Sequence, residues 1–296
     1  MHFQKSVEEY LLDQKLRGNS AHTIAYYKRV LHLYGVFEQP VDTDDITLVS
    51  CKRFHSRLLD CALVSTSVQT YIRGFRAYLA WLYQNGYHKE DLSRRFRLPK
   101  AQKKIIDVLT DQELQILVNA FPATYYGRRN LAICALMFDS GLRLHEVVTL
   151  TNDTLHLPER YAIVNGKGNK QRVVPIGHAT AEILQSYLAQ IPRQSGAVFR
   201  KEDGTPITDH TVKNIFRKLR IKTGIVRLHP HLLRHTFATR YLENGGDIYS
   251  LQAILGHSSL EMVKRYLHLA TTRIRSNFDK FSPFDTLKVD TMIFCG

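Results

Sequence analysis

Acidic side chains are scarce in this 296-residue sequence: 27 Asp and Glu stand against 41 Lys and Arg, a formal charge of +14. With a pI near 9.6, that imbalance is the electrostatic footprint of a nucleic-acid binder, a generally basic soluble protein being the plainer alternative. Long apolar runs are missing too. No stretch approaches the roughly 18 residues that a membrane-spanning helix needs. The N-terminus, Met1-His2-Phe3-Gln4-Lys5 followed by Glu8 and Glu9, carries no apolar signal core, so no leader is expected. The four cysteines, Cys51, Cys61, Cys134 and Cys295, form no CxxC pair, which argues against a disulfide framework or a zinc cage and fits a reducing cytoplasm. Internal repeats and low-complexity segments are absent. What is present is an ordinary globular composition, 44% hydrophobic and 23% charged, in a chain long enough for two domains.

The charge is unevenly placed. Residues 1–50 carry 5 basic and 7 acidic groups, residues 51–100 carry 10 and 3. The densest run, Arg94, Arg95, Arg97, Lys100, Lys103 and Lys104, surrounds Pro99 and reads as an interdomain linker able to lie along a phosphate backbone. Before it the pattern is helical. Ile24, Tyr27, Leu31 and Tyr34 repeat at helical spacing after Ser20, a candidate N-cap. A second helix opens at Ser65 and lines Val68, Ile72, Phe75, Leu79 and Leu82 on one face, with Arg73 and Arg76 off that stripe and Asn85-Gly86 as its stop. With shorter helices near 4–16 and 46–60, this predicts a four-helix N-terminal domain over residues 1–93 and a linker over 94–106.

The domain expected over 107–296 opens on a capping box, Thr110 to Glu113, with Leu109 and Leu114 as its hydrophobic staple. Helical spacing runs through 127–139 and resumes at 143. The period then changes to that of strands at Tyr161–Val164 and Arg172–Ile176, joined by the Gly-rich turn Asn165-Gly166-Lys167-Gly168-Asn169-Lys170. The fold class is therefore mainly α with a small antiparallel β-sheet, an α+β second domain.

Five separated features can carry chemistry. Arg143 follows Ser140-Gly141-Leu142 at a helix start, where a guanidinium and free amides can hold a phosphate. Lys167 sits at a hairpin tip, outside any GxxxxGK[ST] loop. In His229-Pro230-His231-Leu232-Leu233-Arg234-His235, His231 and Arg234 are three apart on a helix beginning after the proline. His231 and His235 also have i, i+4 metal-pair spacing, but no HExxH carboxylate and no third ligand accompany them. His257 follows Leu255-Gly256, and Tyr266 stands nine positions further on.

In this order, Arg, Lys, His-x-x-Arg, His, Tyr, the sequence resembles the tyrosine recombinases, or phage integrase family, and within it the compact Xer-type recombinases. The motifs that carry the resemblance are Gly141-Leu142-Arg143-Leu144-His145-Glu146, the Asn165–Arg172 turn, His231-Leu232-Leu233-Arg234-His235-Thr236-Phe237-Ala238-Thr239, and Leu255-Gly256-His257 with Tyr266. The resemblance implies a helical, SAM-like core-binding domain and a catalytic domain arranged as a two-domain C-shaped clamp on DNA. It implies that Tyr266 is the nucleophile, forming a 3′-phosphotyrosyl bond. Arg143 and Arg234 would clamp the phosphate, His231 and His257 would assist as hydrogen-bond partners and proton acceptors, Lys167 would protonate the leaving 5′-oxygen, and Glu146 would orient the site. No metal, cofactor or ATP is expected.

Beyond the site, DNA contacts are expected from Lys213, Arg217 and Arg220, on the side of a helix opposite Val212, Ile215, Phe216 and Leu219. Arg73 and Arg76 are the analogous pair in the first domain, with Lys100, Lys170 and Arg172 as further cations. The partners implied are double-stranded DNA with a specific core site and further protomers, as a homotetramer on two duplexes or a heterotetramer with a related recombinase. The C-terminal segment, with Ile274, Phe278 and Phe281 on one face, is expected to dock into a neighbouring protomer. The biological role is either integration or excision of a mobile element or resolution of DNA dimers, in the cytoplasm at the nucleoid. An additional N-terminal arm-binding domain is not expected. A type IB topoisomerase and a non-catalytic relative are the alternatives.

Overall fold

The computed structural model describes residues 1–61, 63–98, 107–166, 171–191 and 196–256, together with Leu260, Val263 and Tyr266. The chain divides into two compact units, Met1–Lys104 and Ile105–Gly296.

The first unit holds four helices, α1 (Phe3–Leu16), α2 (Ala21–Glu38), α3 (Leu48–Asp60) and α4 (Ser65–Gln84), and a single turn, α5 (Leu92–Arg95). Ser20 caps α2 as its position predicts, its Oγ accepting from Thr23 N at 3.2 Å. The expected stripe on α4, Val68 to Leu82, is wholly buried. The core is aromatic: Tyr34 stacks on Phe75 with ring centroids 4.3 Å apart, and Tyr10 meets Tyr78 and Trp81 edge-on. The buried phenols are satisfied, Tyr34 against Ser50 Oγ at 2.9 Å and Tyr78 against Ser6 Oγ at 2.5 Å.

The basic run expected to be linker begins inside this unit. Leu92 and Phe96 are buried in its core, so α5 is folded structure. The chain also brings acids to the arginines: Arg94 Nε lies 3.0 Å from Asp91, and Arg95 pairs with Glu90. Local charge counting misses both pairs because the acids precede the run.

The second unit contains α6 (Asp111–Asn119), α7 (Tyr125–Asp139), α8 (Leu144–Val148), α9 (His178–Leu188), α10 (Asp209–Thr223), α11 (Pro230–Glu243) and α12 (Ile248–Leu255), with strands β1 (Leu155–His156), β2 (Tyr161–Asn165) and β3 (Gln171–Pro175). The capping box on α6 is formed in both directions, and Leu109 is fully buried beneath it. The sheet is antiparallel in the order β1-β2-β3, with Leu155 opposite Ala162 and Val164 opposite Arg172. Strand β1 was not expected, because two residues are too few to show a period of 2. One core runs through α7, α9, α10, α11 and the inner face of the sheet, where Ala162, Val164 and Val174 are buried. Among the described residues no helix is long and apolar enough to cross a membrane.

Candidate active site

The site is assembled from chain ends and turns. Helix α7 stops at Gly141, whose φ of +63° is left-handed and whose missing Cβ would fall 2.5 Å from Phe237 and 2.9 Å from Leu255. Only glycine fits, and the turn it makes delivers Arg143 to the N-cap of α8. There Arg143 is held by Glu146, whose Oε2 accepts from its backbone N at 2.8 Å and Oε1 from its Nη1 at 2.8 Å. The cap consumes one of the amides that the sequence offered to a phosphate.

Glu146 is 4% exposed and also receives Arg172 from β3, Nη1 on Oε1 and Nη2 on Oε2, each at 2.8 Å. Burial alone would raise the Glu146 pKa. The hydrogen bonds and charges of Arg172 and Arg143 outweigh it and hold the carboxyl at about 2. Arg172, expected to contact DNA, is turned inward in the free chain. Its side chain is 12% exposed, and Nε is committed to Ile254 O at 2.7 Å. Strand alternation explains this: Arg172 shares a face with Val174, and that face is the buried one.

Arg234, in the second turn of α11, is 5% exposed. Its Nη1 donates to Gly141 O and its Nη2 to Leu255 O at 2.7 Å. Desolvation first, and then the neighbouring Arg143, pull its pKa down to about 9. Arg172 and Arg234 thus bind the adjacent carbonyls of Ile254 and Leu255, which α12 leaves unsatisfied at its C-terminus. Gly256, at φ +61°, then turns the chain away.

His231 is exposed at the first turn of α11, with its pKa lowered by desolvation and then by Arg234, His229 and Arg143. Tyr266 is 4% exposed and packs in the second unit's core, and its hydroxyl lies 2.7 Å from His235 Nδ1. Its phenol acts on Arg234 in the opposite sense to burial and Arg143, tending to raise that group's pKa. The structure therefore brings Arg143, Glu146, Arg172, His231, Arg234 and Tyr266 into one region. Three guanidinium groups gather there with one carboxylate, which Arg143 and Arg172 bind, a net positive cradle suited to a phosphate and to the extra charge of a pentacoordinate transition state. Lys167, His257, Lys100, Lys170 and the C-terminal segment with Ile274, Phe278 and Phe281 lie outside the described residues.

Sequence reasoning considered His235 only as one of a metal pair. Its pairing with Tyr266, 31 residues away, has no local signal. Among the described residues, no three His, Cys, Asp or Glu side chains are grouped as metal ligands. Of the other cations, Lys213, Arg217 and Arg220 are exposed on α10, opposite its buried Val212, Ile215, Phe216 and Leu219. Arg73 is exposed on α4, whereas Arg76 is half-buried, with Nε donating to Ser93 O at 2.8 Å. Arg76 fastens α5 to α4.

Residues 107–273 match the phage integrase family model. The chain is 32% identical to the tyrosine recombinase XerC of Pseudomonas aeruginosa over 274 residues, covering 90% of each chain. It is 30% identical to the tyrosine recombinase XerD of Staphylococcus saprophyticus over 289 residues, covering 94% of this chain and 98% of the relative. In fold it is similar to the Tn1549 transposon integrase solved in complex with transposon right end DNA, with a TM-score of 0.76 at 18% identity, covering 93% of this chain and 99% of the other. This chain belongs to the phage integrase family and is a tyrosine recombinase, an enzyme that breaks and rejoins DNA.

Proposed function

We propose that Arg143, Lys167, His231, Arg234, His257 and Tyr266 form one phosphoryl-transfer site acting at a specific core sequence in double-stranded DNA. Tyr266 Oη attacks the scissile phosphate, a 3′-phosphotyrosyl bond forms, and a 5′-hydroxyl leaves. A phenol of pKa about 10 is only ~0.1% ionised at neutral pH, so the attack requires a proton acceptor and nearby positive charge. Arg143 and Arg234 bind the non-bridging oxygens, a role worth about 3–4 kcal/mol per donor in comparable sites. Lys167 gives its proton to the departing oxygen, and the histidines hydrogen-bond to the phosphate. Glu146 and Arg172 keep the arginines in place. The covalent phosphotyrosine conserves bond energy, so strands are rejoined without ATP.

The observation that supports this reading is that buried Arg234 binds Gly141 O and Leu255 O, while His235, the next residue on α11, lies 2.7 Å from Tyr266 Oη. A desolvated guanidinium crowded by a second one, with its pKa lowered to about 9, favours an incoming anion at that point. On DNA, both units are proposed to contribute contacts as a clamp, with α10 and Arg73 as its basic surfaces. Exchange of strands through a Holliday junction then requires four protomers on two duplexes. The C-terminal segment is proposed to dock between neighbours, and the cytoplasmic nucleoid is the proposed location. Integration or excision of a mobile element and resolution of DNA dimers both use this chemistry.

A nicked suicide duplex that loses its short 5′-hydroxyl fragment on cleavage tests the reading. The chain should become covalently attached to the 3′ end, and Tyr266→Phe should bind the duplex without attachment. An adduct on Tyr266→Phe would place the nucleophile elsewhere.

A further inference from the structure

We propose that His235 is a catalytic residue: it is the proton acceptor for Tyr266. The inference rests on the reading of Tyr266 as nucleophile and adds a group that the motif did not assign.

His235 Nδ1 lies 2.7 Å from Tyr266 Oη, the distance of a good O–H···N hydrogen bond. With the proton of the neutral imidazole on Nε2, Nδ1 accepts the phenolic O–H. The two rings are tilted at 44° with centroids 5.8 Å apart, so the contact is made edge-on through the polar atoms. The pair is shielded: Tyr266 is 4% exposed and His235 is half-buried. In such a place proton transfer to a fixed imidazole replaces transfer to bulk water. The neighbouring residue on the same helix is Arg234. The Tyr266 phenol also interacts electrostatically with Arg234, the buried guanidinium that would bind the phosphate and stabilise a nascent phenolate.

The step balances. As the bond from Oη to phosphorus forms and the bond from phosphorus to the 5′-oxygen breaks, the phenolic proton passes to His235 Nδ1. The departing 5′-oxygen takes its proton from a different group, Lys167 in the reading above. In ligation the 5′-hydroxyl returns its proton, and the His235 imidazolium reprotonates Oη.

The test measures single-turnover cleavage of the suicide duplex by the full chain carrying His235→Phe or His235→Gln. Both variants should bind single sites normally and cleave at least 100-fold more slowly, within the range typical of general-base loss. A second duplex replaces the bridging 5′-oxygen by sulfur, whose thiolate leaves without a proton. Cleavage of that duplex should be restored for Lys167→Ala and remain slow for His235→Phe. With His235→Ala, added imidazoles should raise the rate in order of their basicity, which a mere cavity filler would not do. If the phenylalanine variant fails to fold, the glutamine variant, which keeps a hydrogen-bond acceptor but not a base, decides the matter. Wild-type or faster cleavage by the variants would overturn the proposal, as would rescue of His235→Phe by the sulfur duplex. An adduct on Tyr266→Phe would sink the nucleophile reading itself. Normal cleavage by His235 variants alongside an inert Tyr266→Phe would sink this inference alone.

Discussion

Arg172 grips Glu146 as a fork, each terminal nitrogen 2.8 Å from one carboxylate oxygen, while its Nε holds Ile254 O at 2.7 Å. This side chain joins strand β3 to the ends of α8 and α12, and through Glu146 it fixes Arg143. A network of this kind is costly to break at one member, because a buried charge is left unpaired.

Glu146→Gln should therefore lower stability by roughly 3–5 kcal/mol, read from the denaturant midpoint, and slow adduct formation while single-site binding persists. The pH dependence has a definite sign. The carboxyl titrates at about 2 in the folded chain against an ordinary 4.5, so it contributes stability that is present above pH 4.5 and is lost as the pH falls toward 2. Wild-type stability should decline through that window, and the decline should be shallower in Glu146→Gln.

Arg172→Lys should be nearly as damaging as Arg172→Ala, because an ammonium cannot satisfy two carboxylate oxygens and a carbonyl in one plane. Adduct formation should fall about 10–100-fold. The salt dependence of non-specific DNA binding should stay as in the wild type, since the side chain is not a phosphate contact. A slope reduced by about 1 would restore Arg172 to the DNA surface.

The exposed cations of α10 should behave in the opposite way. Alanine at Lys213, Arg217 or Arg220 should each weaken binding and reduce the slope of log K against log salt, by about 1 per lost phosphate contact, with little change in melting temperature. Arg76→Ala should leave the slope unchanged and loosen α5, detected as faster hydrogen exchange around Ser93.

Gly141→Ala should destabilise the second unit by at least ~1–2 kcal/mol, since it adds strain at a positive φ to a clash with Phe237. The displaced Gly141 carbonyl would release one donor of Arg234, so adduct formation should fall beyond what the stability loss explains. Equal cleavage by folded Gly141→Ala would show that this carbonyl does not position Arg234.

Apart from α5, the helices of the first unit were legible from the sequence because caps and periodic apolar positions act over a few residues. Ser20, the Thr110 box and the α4 stripe are all where local rules put them. The order of Arg143, Lys167, His231, Arg234, His257 and Tyr266 named the family, since that order is written along the chain. The tertiary structure decided which charged groups turn inward. Arg172 and Arg217 look alike as letters, yet Arg172 lies on the buried face of β3 and Arg217 on the open face of α10. Arg76 meets Ser93 across 17 residues, Arg172 meets Glu146 across 26, Tyr266 meets His235 across 31, and Arg234 meets Gly141 across 93. Hydrogen bonds over such separations are chosen by packing, because a guanidinium or a phenol removed from water binds whatever donor or acceptor the fold brings within about 3 Å.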